Sequence, residues 1–454
     1  MLYRSIIDEL NNWAASKNRK PLILRGARQV GKTTAINQFS QNFEHYIYLN
    51  LEIEEEAAFF ENTKTIQEIV NMLFFVNNIP ETTGKILIFI DEIQNAPRAV
   101  MMLRYFYERY PELFIIAAGS LFEIMLENKQ ISFPVGRVQF LYMYPLTFQE
   151  FLLAKKENLA LEALNTIPFP DYAYSKLLQL FHEYTLIGGM PEIVDHYIQS
   201  NNIVSLNPIY QSLLTAYIDD ISKYARNERM RNVLKHCIET APIEAGKRIK
   251  FQGFGGSSFI SKDISEALKT LERARLVYLI YPSFSVEIPA LPQINKSPKL
   301  QLFDTGLLNY FAGLQKHFFK YDNLHAFYRG VLAEHIVMQE IIGKDMSTAQ
   351  KPLFWAREKK QSSAEVDLVI PYHDYLIPVE IKAGKTGSLR SLHLFINQAP
   401  HYFAIRLYSA KFQFQRTTTP EGKEFVLLNL PYFLAFKILD YIEWMKKNHT
   451  TLLS

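Results

Sequence analysis

Eight residues, Gly26-Ala27-Arg28-Gln29-Val30-Gly31-Lys32-Thr33, come one position after the apolar run Pro21-Leu22-Ile23-Leu24 and fit the spacing G-x-x-x-x-G-K-[ST]. No other stretch limits the fold as tightly, because a buried strand that turns through glycines into a helix calls for an α/β sheet around it. Glycines at both ends let the backbone curl so that successive N–H groups point inward, and the helix opening at Lys32 adds its positive dipole end. Such a turn cradles phosphates: Lys32 reaches the outer phosphates and Thr33 offers its hydroxyl to Mg2+. ATP with Mg2+ is therefore the expected ligand, bound over residues 26–34, so that Thr34 belongs to the same set.

A second stretch supports the first. Lys85-Ile86-Leu87-Ile88-Phe89-Ile90 has the continuous apolar character of a strand buried on both faces, and it ends in Asp91-Glu92. Two carboxylates at a strand end are often a solvated turn. About sixty residues after a phosphate turn they fit a different task, in which Asp91 holds Mg2+ through water and Glu92 activates the water that attacks the terminal phosphate.

A chain of 454 residues exceeds what one hydrophobic core sustains, so two to four domains are expected. The longest apolar stretches are far short of a membrane span, and Met1-Leu2-Tyr3-Arg4-Ser5 begins no signal peptide; no membrane contact and a cytoplasmic address are expected. One cysteine, Cys237, excludes an internal disulfide and a cysteine-based metal cage. The net charge of +3 hides a segregation: residues 221–300 carry 14 Lys and Arg against 7 Asp and Glu. An excess of positive charge confined to one segment is the electrostatic footprint of a polyanion partner, although solvated helix faces give weaker versions of it.

Strands and helices alternate through the first part: Leu22–Leu24, a helix from Lys32, Tyr46–Leu51, a helix near Thr65–Val76, Ile86–Ile90, a helix over Pro97–Tyr110, and the strand Leu113–Ala118. This order predicts a parallel sheet with its ligand at the carboxyl ends of the strands. The last of these strands leads into Gly119-Ser120, where Ser120 can bond the attacking water or the terminal phosphate, or serve only as turn chemistry. A short helix over Leu121–Glu127 and a strand over Val138–Met143 are expected next.

At this point the residues resemble a known family. The set GARQVGKTT, IFIDEIQ, AAGS, VGRVQFLYMYPLTFQEF, GGMPEIV and KLQLFDTGLL is similar to the bacterial and archaeal AAA+ ATPases that carry a winged helix and a C-terminal nuclease-like domain. The similarity runs from about Arg25 to Tyr432. It implies an α/β fold in four parts: a P-loop NTPase parallel sheet of the AAA+ type (residues 1–151), a helical lid (152–222), a winged helix (223–305) and an α/β restriction-endonuclease-like domain (306–435), followed by a C-terminal helix (436–454). It also implies that Arg137, just before the fifth core strand, is an arginine finger, with a surface arginine in a loop as the alternative; a finger that acts in trans on a neighbouring subunit requires a homo-oligomer. One departure stands out: no arginine occurs between Val138 and Ala225, so the lid arginine of many AAA+ enzymes has no counterpart here.

The basic segment predicts two helices, Met230–Thr240 and Ser261–Ala274, the second with Ser261 as N-cap and apolar positions at Ile264, Ala267, Leu268 and Leu271. Strands over Leu276–Ile280 and Leu300–Phe303 would complete a winged helix presenting Lys262, Lys269 and Arg273 outward. DNA is the expected partner of that surface, with a protein contact as the alternative.

Further on, Glu365–Ile370 and Ile377–Lys382 read as two strands joined by a turn at His373-Asp374, with Glu380 and Lys382 on one face. Upstream, a helix over Tyr328–Ile342 places Glu334 in an apolar stripe with Val331, Met338 and Ile341, and such a carboxylate needs a cation nearby. Glu334, Asp367, Glu380 and Lys382 together look like the PD-(D/E)xK nuclease constellation, in which carboxylates hold Mg2+ and a lysine positions water. The alternative is a salt-bridged hairpin on a nuclease-like fold that binds protein and serves an ATP-driven switch. Trp355, beside Arg357 and Lys359, fits a core position better than a stacking platform.

Overall fold

The computed structural model describes residues 2–62, 65–80, 84–119, 133–222, 225–313, 330–359, 362–384 and 387–452. They form two compact units, one of residues 1–144 with 273–276 and 345–349, the other of residues 145–272, 277–344 and 350–454. Ser120 and the expected helix over Leu121–Glu127 lie outside the described residues.

The first unit is built on five parallel strands: β1 (Leu22–Arg25), β2 (His45–Asn50), β3 (Ile86–Asp91), β4 (Phe114–Ala118) and β5 (Gln139–Tyr142), in the order β2-β3-β4-β1-β5. All six residues of β3 and all five of β4 are buried, as continuous apolar runs must be when both sheet faces are covered. Each fully buried Ile or Phe in them contributes about 1.5–3 kcal/mol of transfer free energy. The helix Ile66–Val76 starts at a capping box in which Thr65 and Glu68 satisfy each other's backbone N–H groups, and Pro97 opens the helix Pro97–Arg109 at its first turn. Two helices were not anticipated. Ile6–Ala15 buries Ile6, Leu10 and Trp13 at helical spacing, and Glu54–Glu61 begins with three glutamates in the turn where a helix dipole favours them.

The second unit opens with helices Phe148–Ala154, Asn158–Asn165, Tyr174–Ile187, Pro191–Ser200 and Asn207–Ser222. Gly188-Gly189 ends the third of them: Gly188 has φ 75°, and a Cβ on Gly189 would lie 2.2 Å from the Leu146 carbonyl oxygen. Helices Glu228–Glu244 and Ser261–Arg273 follow, and then strands β6 (Val277–Ile280), β7 (Pro282–Ser283) and β8 (Lys299–Leu302), of which β6 and β8 pair antiparallel. Helix, helix and hairpin thus appear in the expected order, with two corrections. Ser261 is the first helical residue and not the cap, because Asp263 and Ile264 already bond to the Ile260 carbonyl. The second hairpin strand begins one residue earlier than expected, which brings Lys299 into the sheet.

A seven-stranded sheet closes the unit, in the order β13-β14-β12-β11-β10-β9-β7. Its further strands are β9 (Leu353–Lys359), β10 (Ser362–Tyr372), β11 (Tyr375–Ile381), β12 (Phe403–Tyr408), β13 (Gln413–Thr418) and β14 (Glu424–Pro431). β10 and β11 form the expected hairpin, turning through His373 at φ 48°. β9 and β13 were not foreseen. Trp355 on β9 is 1% exposed and stands edge-on to Phe395, 5.3 Å between centroids, on the helix Arg390–Gln398, so it is a core residue. The tail, expected as a C-terminal helix over 436–454, is a 3-10 segment over Tyr432–Lys437 followed by the α-helix Ile438–Asn448. Cys237 is buried in its helix, and burial pushes its thiol up to about 12. Among the described residues no helix is long and apolar enough to cross a membrane.

Candidate functional site

The phosphate turn leaves β1 at Arg25 and enters the helix Lys32–Phe39. Gln29 at φ 63° and Gly31 at φ 93° give it the left-handed steps that a curled loop needs. Gly26 is required by space: a Cβ there would lie 2.4 Å from the Met143 carbonyl oxygen. Ala27 and Val30 are buried and fix the loop from below, whereas Arg28, Gln29 and Thr34 are not buried. The Lys32 ammonium, on a residue only 7% exposed, donates to the carbonyls of Gly26 at 3.0 Å and Ala27 at 2.9 Å.

Strand β4 separates β1 from β3, yet the helix that follows β1 meets the end of β3. The Thr33 hydroxyl donates to Asp91 Oδ2 at 2.6 Å, and the Tyr48 hydroxyl stands 3.5 Å from the same oxygen. Glu92, at φ 50°, leaves the strand direction, and its N–H donates to Asp91 Oδ1 at 3.0 Å. Burial raises the Glu92 carboxyl above its usual range, against the lowering effects of a hydrogen bond from Gln94 and of the Lys32 charge. Gln94 Nε2 donates to Glu92 Oε2, and Gly119 at the end of β4 must lack a side chain, since a Cβ would sit 2.2 Å from Gln94 Oε1. A hydroxyl and a carboxylate in contact are the hard oxygen donors that Mg2+ takes together with phosphate oxygens and water, so Thr33 and Asp91 fit the ion.

Two residues of this site escaped the sequence reading. Gln94 sits three positions after Asp91, in the same short stretch as the acidic pair. Arg4, 7% exposed, donates through its two terminal nitrogens to the carbonyls of Val30 at 2.7 Å and Tyr144 at 2.6 Å, and so ties the phosphate turn to the chain end that follows β5. A lone arginine before a helix carries no local signal for that role.

Arg137 precedes β5 by two residues, as expected. Its side chain is 44% exposed and its Nε donates to Glu108 Oε1 at 3.1 Å, an oxygen that Arg104 also reaches at 2.9 Å. The two arginines border a surface cleft of about 370 Å3 with Met101, Tyr105 and Val135.

In the second unit, Glu334, Asp367, Glu380 and Lys382 do converge, but with an unforeseen cation among them. The Lys299 ammonium, on a side chain 9% exposed, lies 2.9 Å from Glu334 Oε2, 2.7 Å from Glu365 Oε1 and 3.6 Å from Asp367 Oδ1. Burial alone would lower its pKa, but Glu334, Asp367 and Glu365 outweigh burial and hold it above the usual lysine range. Asp367 Oδ2 accepts the Ile381 N–H at 2.8 Å, and Lys382 pairs with Glu380 Oε1 at 2.5 Å. Burial raises Glu334 and Glu380 to about 7, with Asp367 adding to the shift and a lysine partner opposing it in each case. Both Asp367 oxygens thus face donors of this chain, and among the described residues no three His, Cys, Asp or Glu side chains are placed to hold a metal ion. The donor set as arranged does not fit a divalent cation.

The basic segment is also altered by its partners. Arg226 pairs with Glu266 at 3.3 Å, Arg229 with Asp263 at 2.6 Å, Arg231 with Glu228 at 2.7 Å, and both Arg248 (2.8 Å) and Lys296 (2.6 Å) with Glu358. Part of the charge excess is therefore answered within the unit. Lys262 and Lys269 stand exposed on their helix, and Arg273 is half-buried.

Residues 18–152 match the family model described as an AAA domain, residues 178–317 a domain of unknown function (DUF8612), and residues 329–431 a second one (DUF4143). No curated protein matches the chain. Among solved structures, the Walker-type ATPase of Pyrococcus abyssi is similar at 13% identity and TM-score 0.44, over 69% of this chain and 96% of that one. The ORC1 protein of Aeropyrum pernix in complex with DNA is similar at 15% identity and TM-score 0.24, over 68% and 90%. The RuvB Holliday junction branch migration motor of Thermotoga maritima is similar at 14% identity and TM-score 0.27, over 61% and 90%. Likeness at this level does not carry activity or partner from those proteins to this chain. What holds for residues 18–152 is an AAA domain with a parallel sheet and a phosphate turn at its carboxyl edge.

Proposed function

We propose that the chain binds ATP with Mg2+ over residues 26–34, hydrolyses it, and uses the cycle to act on DNA. The observation that carries the reading is the 2.6 Å contact between the Thr33 hydroxyl and Asp91, which joins the phosphate turn to the acidic strand end. In this reading Lys32 turns from the loop carbonyls to the outer phosphates, and the backbone N–H groups of residues 27–33 receive the inner ones. Thr33 and Asp91 hold Mg2+, which when bound offsets phosphate charge. Glu92 takes a proton from the attacking water, a task that a buried carboxylate of raised pKa performs better than an exposed one. Gln94 aims Glu92, Ser120 bonds the water or terminal phosphate, and Arg137 supplies a cation to a neighbouring copy.

Calorimetric titration with ATP and Mg2+ tests the binding step, and phosphate release tests turnover. Lys32→Ala is expected to lose binding at least ~10-fold, and Glu92→Gln to keep binding while turnover falls ~100-fold or more. Binding that survives Lys32→Ala unchanged would sink the reading. Action on DNA rests on the helix–helix–hairpin arrangement of residues 228–302 and on the exposed Lys262 and Lys269. It predicts turnover stimulated by DNA and a stimulation that fades steeply with salt.

A second reading, an ATP-driven switch whose C-terminal domain is a nuclease-like scaffold for protein, is favoured at one place by Lys299 lying among the carboxylates. Turnover indifferent to DNA, with no cleavage of plasmid or single strands in Mg2+ or Mn2+, supports it. Cleavage lost on Glu380→Ala but kept in Glu92→Gln supports a metal-dependent nuclease instead.

A further inference from the structure

The carboxylates of the second unit stand on three elements, Glu334 on the helix Val331–Lys344, Glu365 and Asp367 on β10, and Glu380 on β11. Lys299 comes from a fourth, the hairpin strand β8, where it pairs with Ile280 and bridges to Arg248. Its backbone is therefore fixed by the hairpin while its ammonium reaches the carboxylates. The site of an oxygen-ligated divalent ion would need Asp367 Oδ1, because Oδ2 is taken by the Ile381 N–H, and Oδ1 is the oxygen turned to Lys299. Glu380 Oε2 is buried and among the described residues has no hydrogen-bond partner, in a side chain 7% exposed. An acceptor of that kind is costly to leave unmet, and it marks the direction from which a cation would be held.

The geometry points to Lys299 as the resident cation of this cluster, which keeps a divalent metal from Glu334, Glu365 and Asp367 unless its ammonium is removed. Four carboxylates face two ammonium groups here, Lys299 and Lys382, so the cluster favours positive charge. A metal entering beside Lys299 would meet a like charge at ion-pair range in a buried place, where repulsion is least screened. With Lys299 gone, Glu334 and Asp367 Oδ1 lose the cation they share and are free to draw together on one ion of the Mg2+ or Mn2+ class. This inference stands apart from the phosphate turn, and neither depends on the other.

Mn2+ titration of the nucleotide-free full chain, followed by electron paramagnetic resonance of free Mn2+, tests it without reference to any activity. Wild type and Asp367→Asn are expected to give the same weak binding. Lys299→Met, which keeps the volume of the side chain, is expected to gain one site at least ~10-fold tighter, lost again in Lys299→Met/Asp367→Asn. A Lys299→Met protein that binds Mn2+ no more tightly than wild type overturns the inference. So does a wild-type site lost in Asp367→Asn, a comparison that needs no Lys299 variant and decides the matter if Lys299→Met fails to fold.

Discussion

Both acidic sites of this chain bring a lysine together with carboxylates carried on inner strands of a sheet, and they differ in what the carboxylates face. Asp91 takes hydroxyl donors, Thr33 at 2.6 Å and Tyr48 at 3.5 Å. Glu334, Glu365 and Asp367 take the Lys299 ammonium. A carboxylate held by neutral donors keeps its charge for a metal ion, whereas one held by a buried ammonium has spent it, because breaking such a pair leaves an uncompensated charge. Likeness of residue types is thus a poor guide to what a site binds, and the nearest internal cation is a better one.

The largest effect that would sharpen this contrast is expected at Arg137. If Asp91 and Glu92 serve a ligand and Arg137 is the finger of a neighbouring copy, that cation completes the reaction in trans. Arg137→Ala should then lower turnover by about 10^3-fold, with part of it regained on mixing with Glu92→Gln. Equal loss in the mixture would place the arginine in its own subunit's site. A smaller effect is expected at Gly119→Ala, where the added methyl displaces Gln94 and frees Glu92. Turnover should fall roughly 10-fold to 100-fold with ATP affinity unchanged, and titration beside phosphate release separates the two.

Glu340 offers a third kind of carboxyl, fully buried and facing only neutral donors: the Phe148 N–H at 3.1 Å and the Tyr184 hydroxyl at 2.8 Å. Tyr184 has one proton and also reaches the Leu146 carbonyl at 2.7 Å, so a protonated Glu340 resolves the geometry by donating to Tyr184. Burial raises its pKa to about 8, opposed by the bonds that the Tyr184 hydroxyl and the Phe148 N–H donate to the ionised form. An unfolded carboxyl ionises near 4.5, so between that pH and about 8 the folded state carries the extra proton. Stability should therefore fall as pH rises through this window, by up to about 1.4 kcal/mol per pH unit. Urea unfolding at pH 5.5, 6.5 and 7.5 should show that slope flattened in Glu340→Gln. The smallest effect expected is none at all: Asp367→Asn should leave ATP turnover within about 2-fold of wild type if the two sites are independent. A larger drop would break the contrast.

The phosphate turn was legible because its parts are local. Gly26 to Thr33 are consecutive, and Asp91-Glu92 close an unbroken apolar strand whose place in the sheet follows from its burial on both faces. Arg4 and Gln94 were not legible, since hydrogen bonds to carbonyls and amide contacts leave no spacing pattern. The carboxylate cluster was half legible. The stripe around Glu334 predicts a nearby cation, but Lys299 lies 35 residues upstream on a strand whose pairing with Ile280 decides where the ammonium points. The signal available was a lysine heading the otherwise buried run Lys299–Leu302. The charge excess of residues 221–300 was half legible in the same way, because an acid that answers part of it, Glu358, lies far along the chain.

Trp13 packs against Phe39, at the end of the helix that starts from Lys32, and edge-on to Phe114 of β4, with centroids 6.5 and 6.0 Å away. Trp355 sits opposite Val366 on β10, one residue before Asp367. Trp13 therefore stands at the far end of the helix that starts from Lys32 and at the amino end of β4, whereas Trp355 stands next to the strand position of Asp367; with the other two tryptophans replaced by phenylalanine in each case, excitation near 295 nm of the two single-tryptophan versions would give each unit its own emission signal.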